Sequence, residues 1–180
     1  MSSNYLSFKI VLLGDSVSKT TFVNRYRTQF LVENLKMTVG VEFYIKRFSV
    51  DGYNILLWLW DLNGKPRFRR VLPNYVKNAD GGLFLYDVTD RSSIARVDEW
   101  LSVIRKGVVT KVLFPILVVG FLPNGRNKRD VSTEEGLKIA NSRNLKGHIE
   151  CNLKTGKNVE KVFEDITRLI LLKSGLVKMP

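Results

Sequence analysis

A glycine that closes an apolar run, followed shortly by a lysine and two threonines, has the parts of a phosphate site. In this chain they are Gly14, then Asp15, Ser16, Val17 and Ser18, then Lys19, Thr20 and Thr21. A loop of this kind turns successive backbone N–H groups and a helix N-terminus toward an anion. The lysine reaches the outer phosphate oxygens, and the hydroxyl after it ligates Mg²⁺. The complete pattern is G-x-x-x-x-G-K-[ST]. Here only three residues separate Gly14 from Ser18, and serine holds the place of the second glycine. Glycine at that point tolerates φ > 0 and lets the backbone approach phosphate, whereas Ser18 adds a Cβ. The helix N-terminus and Lys19 persist, so an anion could still bind, less tightly than a complete loop would hold it.

Such a loop needs a strand before it and a helix after it. Residues 8–13 are continuously apolar and read as a buried strand; residues 19–29 read as a helix with Phe22, Val23 and Tyr26 on one side. Residues 30–39 lack periodicity and are expected to form a loop. Val41, Phe43 and Ile45 alternate with Glu42, Tyr44 and Lys46, and Asp51-Gly52 separates this run from residues 53–60. Two strands around an Asp-Gly turn make a hairpin, hence one antiparallel pair. Residues 61–77 are polar and basic, with Pro66 and Pro73 limiting any helix. Further strands are expected at 82–88, 114–120 and 148–151, and helices at 92–105, from the capping box Ser132-Thr133-Glu134-Glu135 to about Arg143, and at 158–172. The alternation argues a mostly parallel six-stranded sheet with helices on both faces and a site in the loops at the strand C-termini.

Composition agrees with one domain over residues 1–180: 44% of residues are apolar and 26% charged, with no Pro/Gly/Ser-rich divider. No apolar run approaches the roughly 20 residues of a membrane span, and residues 1–8 lack a signal-peptide layout. A single cysteine, Cys151, excludes an internal disulfide and suits a reducing cytoplasm. Twenty-nine Lys+Arg against 17 Asp+Glu leave a net charge of +12. The basic residues are dispersed and no stacking-aromatic pattern accompanies them, which disfavours nucleic acid. A weak attraction to anionic membrane or an acidic partner fits better.

Three further segments are specific. With Thr38-Val39-Gly40-Val41-Glu42-Phe43, Trp60-Asp61-Leu62-Asn63-Gly64 and Tyr86-Asp87-Val88-Thr89-Asp90, the chain resembles the Rab/Ras-like small GTPases. Residues 131–136 and 154–160 continue the likeness, which covers essentially the whole chain. The resemblance implies the P-loop NTPase small-GTPase (Ras-like) α/β fold, six strands with one antiparallel hairpin strand, and GTP/GDP with Mg²⁺ as cofactors if any nucleotide is bound. It also implies roles by position. Lys19 and the loop 14–21 would face phosphate; Thr20, Thr38 and Asp61 would serve the metal, Asp61 through water or merely as a loop cap. Gly64 would feel the γ-phosphate, and Asn124, Asn152, Leu153 and Lys154 would lie at the base. Phe43, Trp60 and Tyr75 would form an aromatic partner surface, where effector-like or regulatory proteins meet the switch regions. Trp58 either enlarges that surface or belongs to the core.

The same alignment marks departures. Lys65 occupies the place of the glutamine that orients the attacking water, and an ammonium cannot accept from water. Hydrolysis by that route is therefore expected to be lost; Lys65 is either solvated or a clamp on a γ-phosphate. Asn124 replaces the aspartate that reads guanine and Phe121 its supporting asparagine, removing a charge-assisted bidentate pair. Asn127-Lys128-Arg129-Asp130 matches the base-reading pattern as a string but lies six residues late, and reads as chance. Leu31 falls where the family flanks guanine with an aromatic. Residues 174–180 lack the cysteine of a prenyl anchor. The expectation is a pseudo-GTPase acting as an interaction module. A nucleotide-binding switch with slow or no turnover, and a working GTPase with substitute residues, are the alternatives.

Overall fold

A computed structural model describes residues 5–14, 18–28, 40–62, 64–65, 68–108, 114–122 and 128–177, the side chain of Ser18 excepted. Six strands form one sheet in the order β2-β3-β1-β4-β5-β6. They are β1 (Leu6–Leu13), β2 (Val41–Val50), β3 (Tyr53–Leu62), β4 (Gly81–Asp87), β5 (Ile116–Leu122) and β6 (His148–Asn152). β2 and β3 are the antiparallel hairpin around Asp51-Gly52; every other pairing is parallel. The helices are α1 (Ser18–Thr28), α2 (Leu72–Val76), α3 (Arg91–Ala95), α4 (Val97–Gly107), α5 (Thr133–Ser142) and α6 (Val159–Lys173). None among the described residues is long and apolar enough to cross a membrane.

Continuous apolar runs in β1, β4 and β5 are what a parallel sheet covered on both sides requires. One face packs on α1 and α6 through Phe22, Tyr26, Phe163 and Ile166, with Tyr26 and Phe163 stacked at 3.7 Å. The other packs on α2 to α5 through Val76, Ile94, Trp100, Leu101 and Ala140. Those helices cover β1, β4 and β5 and leave the outer half of that face, on β2 and β3, open.

Two details depart from the expected elements, and a third adds to them. The helix over 92–105 is two, α3 and α4, separated at Arg96. Pro73 does not limit a helix but opens α2, where a missing N–H is no loss. On β2 the apolar positions of the alternation face outward: Phe43 and Ile45 are 59% and 43% exposed, while Tyr44 and Phe48 pack against the core. The capping box is complete, Glu135 N–H donating to Ser132 Oγ and Ser132 N–H to the Glu135 carboxylate.

Candidate functional site

β1 and β3 run parallel with Leu12 beside Asp61. The strand end that leads toward α1 therefore lies against the strand end that carries Asp61. Gly14 closes β1 at φ +127°, and a Cβ there would stand 2.3 Å from the Leu85 carbonyl oxygen of β4; only glycine lets the two strand ends approach so closely. Lys19 follows in the first turn of α1. Its Nζ lies 2.8 Å from Asp61 Oδ1 and donates to the Leu62 carbonyl. The Trp100 ring of α4 stands 5.6 Å from the same ammonium, and Thr20 Oγ1 donates to Asp61 Oδ2 at 3.1 Å. Lys19 is 3%, Thr20 6% and Asp61 0% exposed.

A desolvated ammonium and carboxylate are tolerable only when paired and hydrogen-bonded, and this arrangement meets both conditions. Chemically it offers two things. The Thr20 hydroxyl and the Asp61 carboxylate are hard oxygen donors of the kind Mg²⁺ takes. The Lys19 ammonium suits a phosphate, but an incoming phosphate has to compete with Asp61 and the Leu62 carbonyl for it. The metal side of the site thus has the donor types the implied cofactor takes, with Asp61 Oδ1 held by Lys19; both sides fit the cofactor only once Lys19 has left its carboxylate. Among the described residues no group of three or more His, Cys, Asp or Glu could hold a metal instead.

The remaining positions divide. Asp15, Ser16, Val17, Leu31, Thr38 and Asn124 lie outside the described residues. Thr21 and Gly64 are half-buried. Lys65 is exposed, its carbonyl accepting from Phe68 N–H at 3.0 Å in the turn that leads toward α2. Asn152 uses its side chain to close its own loop, Oδ1 accepting from Thr155 N–H at 3.0 Å. The Leu153 side chain is in the core, and its carbonyl accepts from Arg25 Nε at 3.1 Å. Lys154 is exposed. Phe121, where the family's asparagine would stand, is fully buried within β5. Of the string 127–130, Arg129 forks onto Glu150 at 2.7 and 2.8 Å and Asp130 accepts from Arg91 N–H. Both therefore have structural partners at the start of α5. Burial pushes the Cys151 thiol up to about 12, with the Glu150 charge adding to it, as a packing residue requires. Trp100 and the Arg25–Leu153 contact carry no signal in the sequence, because both arise from helices meeting residues far along the chain.

The open half of the sheet carries the aromatic residues. Strand pairing sets three rows across it: Phe43–Trp60–Val11, Ile45–Trp58–Lys9 and Arg47–Leu56–Ser7. Phe43 lies 5.9 Å from Trp60 and 6.4 Å from Trp58, and Trp60 lies 6.2 Å from Tyr75 of α2. Lys9 Nζ sits 4.2 Å from the Trp60 ring. Trp58 is half-buried on this face, its indole N–H donating to Ser7 Oγ at 3.0 Å, so it joins the aromatic surface rather than the core.

Comparison with known proteins agrees with this geometry. A model of the Ras family matches residues 9–172. The human Ras-related protein Rab-19 is 30% identical over 170 residues, 94% of this chain and 77% of that protein. The dog Ras-related protein Rab-13 is 32% identical over 169 residues, 93% and 82% of the two chains, and the zebrafish (Danio rerio) Ras-related protein Rab-18-B is 32% identical over 171, 94% and 82%. With the sheet order, the Gly14 strand end and the Thr20–Asp61 contact in place, the chain belongs to the Ras family of Rab/Ras-like small GTPases.

Proposed function

We propose that the chain is a pseudo-GTPase, a small-GTPase domain that serves as a cytoplasmic protein-interaction module without GTP hydrolysis or guanine selectivity. The observation that carries this reading is the Lys19 ammonium, buried and bound to Asp61 and the Leu62 carbonyl, with no need of phosphate for its charge. The residue types agree: Ser18 in a shortened loop, Lys65 where water would be oriented, and Phe121 and Asn124 where guanine would be read. What is kept intact is the aromatic face of Phe43, Trp60 and Tyr75, through which effector-like or regulatory proteins would be met. Purified protein, denatured and resolved by anion exchange, is expected to release no guanine nucleotide; a stoichiometric GDP or GTP peak overturns the reading.

A second reading is favoured by the Thr20–Asp61 contact, which keeps the metal side assembled. On it the chain holds a nucleotide with Mg²⁺ and turns it over slowly or not at all. Co-purified GTP that persists for hours in the presence of Mg²⁺ would select this second reading.

A further inference from the structure

We propose that Trp100 is the latch of the phosphate site: with Asp61 and the Leu62 carbonyl its indole holds the Lys19 ammonium, and displacing the ring frees that ammonium for phosphate. This rests on the pseudo-GTPase reading and names the contact that keeps the site shut. Enclosure, reach and room each support it.

The ammonium is enclosed on three sides. Asp61 Oδ1 stands 2.8 Å from it, the Leu62 carbonyl accepts from it, and the Trp100 ring centre lies 5.6 Å away. That is within the roughly 6 Å at which a ring quadrupole attracts a cation, and the attraction is larger when both are desolvated. Lys19 and Trp100 are both buried. An aliphatic side chain in the same place would keep water from the ammonium and return none of the hydration it has lost.

The reach comes from the helix that carries the ring. Lys19 and Asp61 sit in the site itself, on α1 and β3, whereas Trp100 belongs to α4. Glu99, beside it, pairs with Arg69 Nη1 at 2.6 Å. At the far end of α4, Gly107 packs so closely on α2 that a Cβ would stand 2.3 Å from the Pro73 carbonyl oxygen. A displacement of α2 and α4 is therefore carried through Trp100 to Lys19.

Room makes the contact reversible. Trp100 also lines a cavity of about 320 Å³ between α2 and α4, with Arg70, Leu72, Pro73, Val103 and Lys106. Core side chains ordinarily interdigitate with few voids larger than a water molecule. The indole has space to leave the ammonium without the rest of the core being rebuilt.

The test uses the full-length protein. Trp100→Leu and Trp100→Met keep apolar bulk and remove the ring; Trp100→Phe keeps a ring. Leu101→Ala, a cavity on the same helix, reports what destabilisation alone does. Lys19 is acylated with an amine-reactive ester and read by peptide mass spectrometry, with the exposed Lys154 as internal reference. The two ring-free variants should label Lys19 at least about threefold faster than wild type. Trp100→Phe and Leu101→Ala should stay near wild type. In 1 mM pyrophosphate with Mg²⁺, the ring-free variants should gain at least about 2 °C in melting midpoint and wild type should gain nothing measurable. Adding Lys19→Met to Trp100→Leu should abolish that gain. If one ring-free variant does not fold by far-UV circular dichroism, the other carries the comparison. Labelling equal to wild type, or Trp100→Phe labelling as fast as Trp100→Leu, overturns the proposal. Faster labelling without the pyrophosphate gain overturns it too, since the freed ammonium then serves no phosphate. Guanine nucleotide extracted from wild type is a separate readout, which overturns the pseudo-GTPase reading whatever the variants show.

Discussion

At the scale of single residues, the chain turns on what Lys19 holds. A phosphate-loop lysine waiting in solvent would contribute little to stability, since exposed charges away from special contacts change it by about 0.5 kcal/mol or less. Lys19 is instead one half of a buried pair, and removing one partner of such a pair typically destabilises by about 3–5 kcal/mol because the other charge is left desolvated. Lys19→Met and Asp61→Leu are each expected to fall in that range by urea denaturation with an unchanged slope. The double variant should lie closer to wild type than either single, since both charges then disappear together. Near-neutral single variants would show that Asp61 does not hold Lys19 in solution, and the pseudo-GTPase reading would lose its principal support. Gly14→Ala is a second residue-scale case. Its φ of +127° and the 2.3 Å approach to the Leu85 carbonyl leave a Cβ nowhere to go. A loss of at least about 2 kcal/mol is expected from backbone strain and overpacking together, read as a lowered urea midpoint.

At the scale of elements, β6 and α5 meet around the chain's single histidine. His148 Nε2 lies 2.9 Å from the Tyr86 hydroxyl, and Gly136 of α5 packs so near both that a Cβ would stand 2.4 Å from the imidazole. Burial holds the His148 imidazole below its ordinary value of 6.5, with Glu150 opposing and Arg129 adding to the depression. The folded state therefore protonates later than the unfolded chain as the pH falls. Stability present above the unfolded value drains away below it, down to the folded value. His148→Gln should flatten the pH dependence of the urea midpoint between about pH 7 and pH 5, where an unshifted histidine would ordinarily titrate. The cap of α5 gives an independent check: Ser132→Ala removes one bond of the capping box and should lower stability by about 1 kcal/mol. These elements were largely legible in the sequence. The capping box, the Asp-Gly hairpin and the apolar runs are local signals, and they placed β1 to β6 in order. What was not legible depends on distant packing. The break at Arg96 is hidden because Ile94, Val97, Leu101 and Ile104 keep one apolar stripe across it. Alternation alone fixes two faces of β2 without saying which one the helices cover; the outward place of Phe43 was expected only from the family resemblance, and that of Ile45 follows from it. In the site, the damaged loop was visible as a missing residue, but the capture of Lys19 by Asp61 needs β1 and β3 side by side, which no local pattern states.

At the scale of the whole molecule, the chain's own helices pack on both faces of β1, β4 and β5, and the buried charges of Lys19 and Asp61 are satisfied by each other. Folding should then be independent of nucleotide, and linkage makes that measurable. A ligand that binds only the folded state adds RT ln(1 + [L]/Kd) to its stability. At 1 mM ligand, a site of about 1 mM affinity adds only about 0.4 kcal/mol, whereas a nanomolar site adds about 8 kcal/mol. For a chain of 180 residues, each kcal/mol moves the melting midpoint by about 2–4 °C. The proposed pseudo-GTPase should therefore melt within about 2 °C of the buffer control in 1 mM GTP·Mg²⁺ and in 1 mM ATP·Mg²⁺ alike. Equal shifts of several degrees with both would point to a phosphate-and-metal grip without base selection, the form that the Thr20–Asp61 contact would support. A shift above about 10 °C with GTP alone would mean that Lys19 readily exchanges its carboxylate for phosphate and that the base is read by residues other than the family's own, and the pseudo-GTPase proposal would then be wrong.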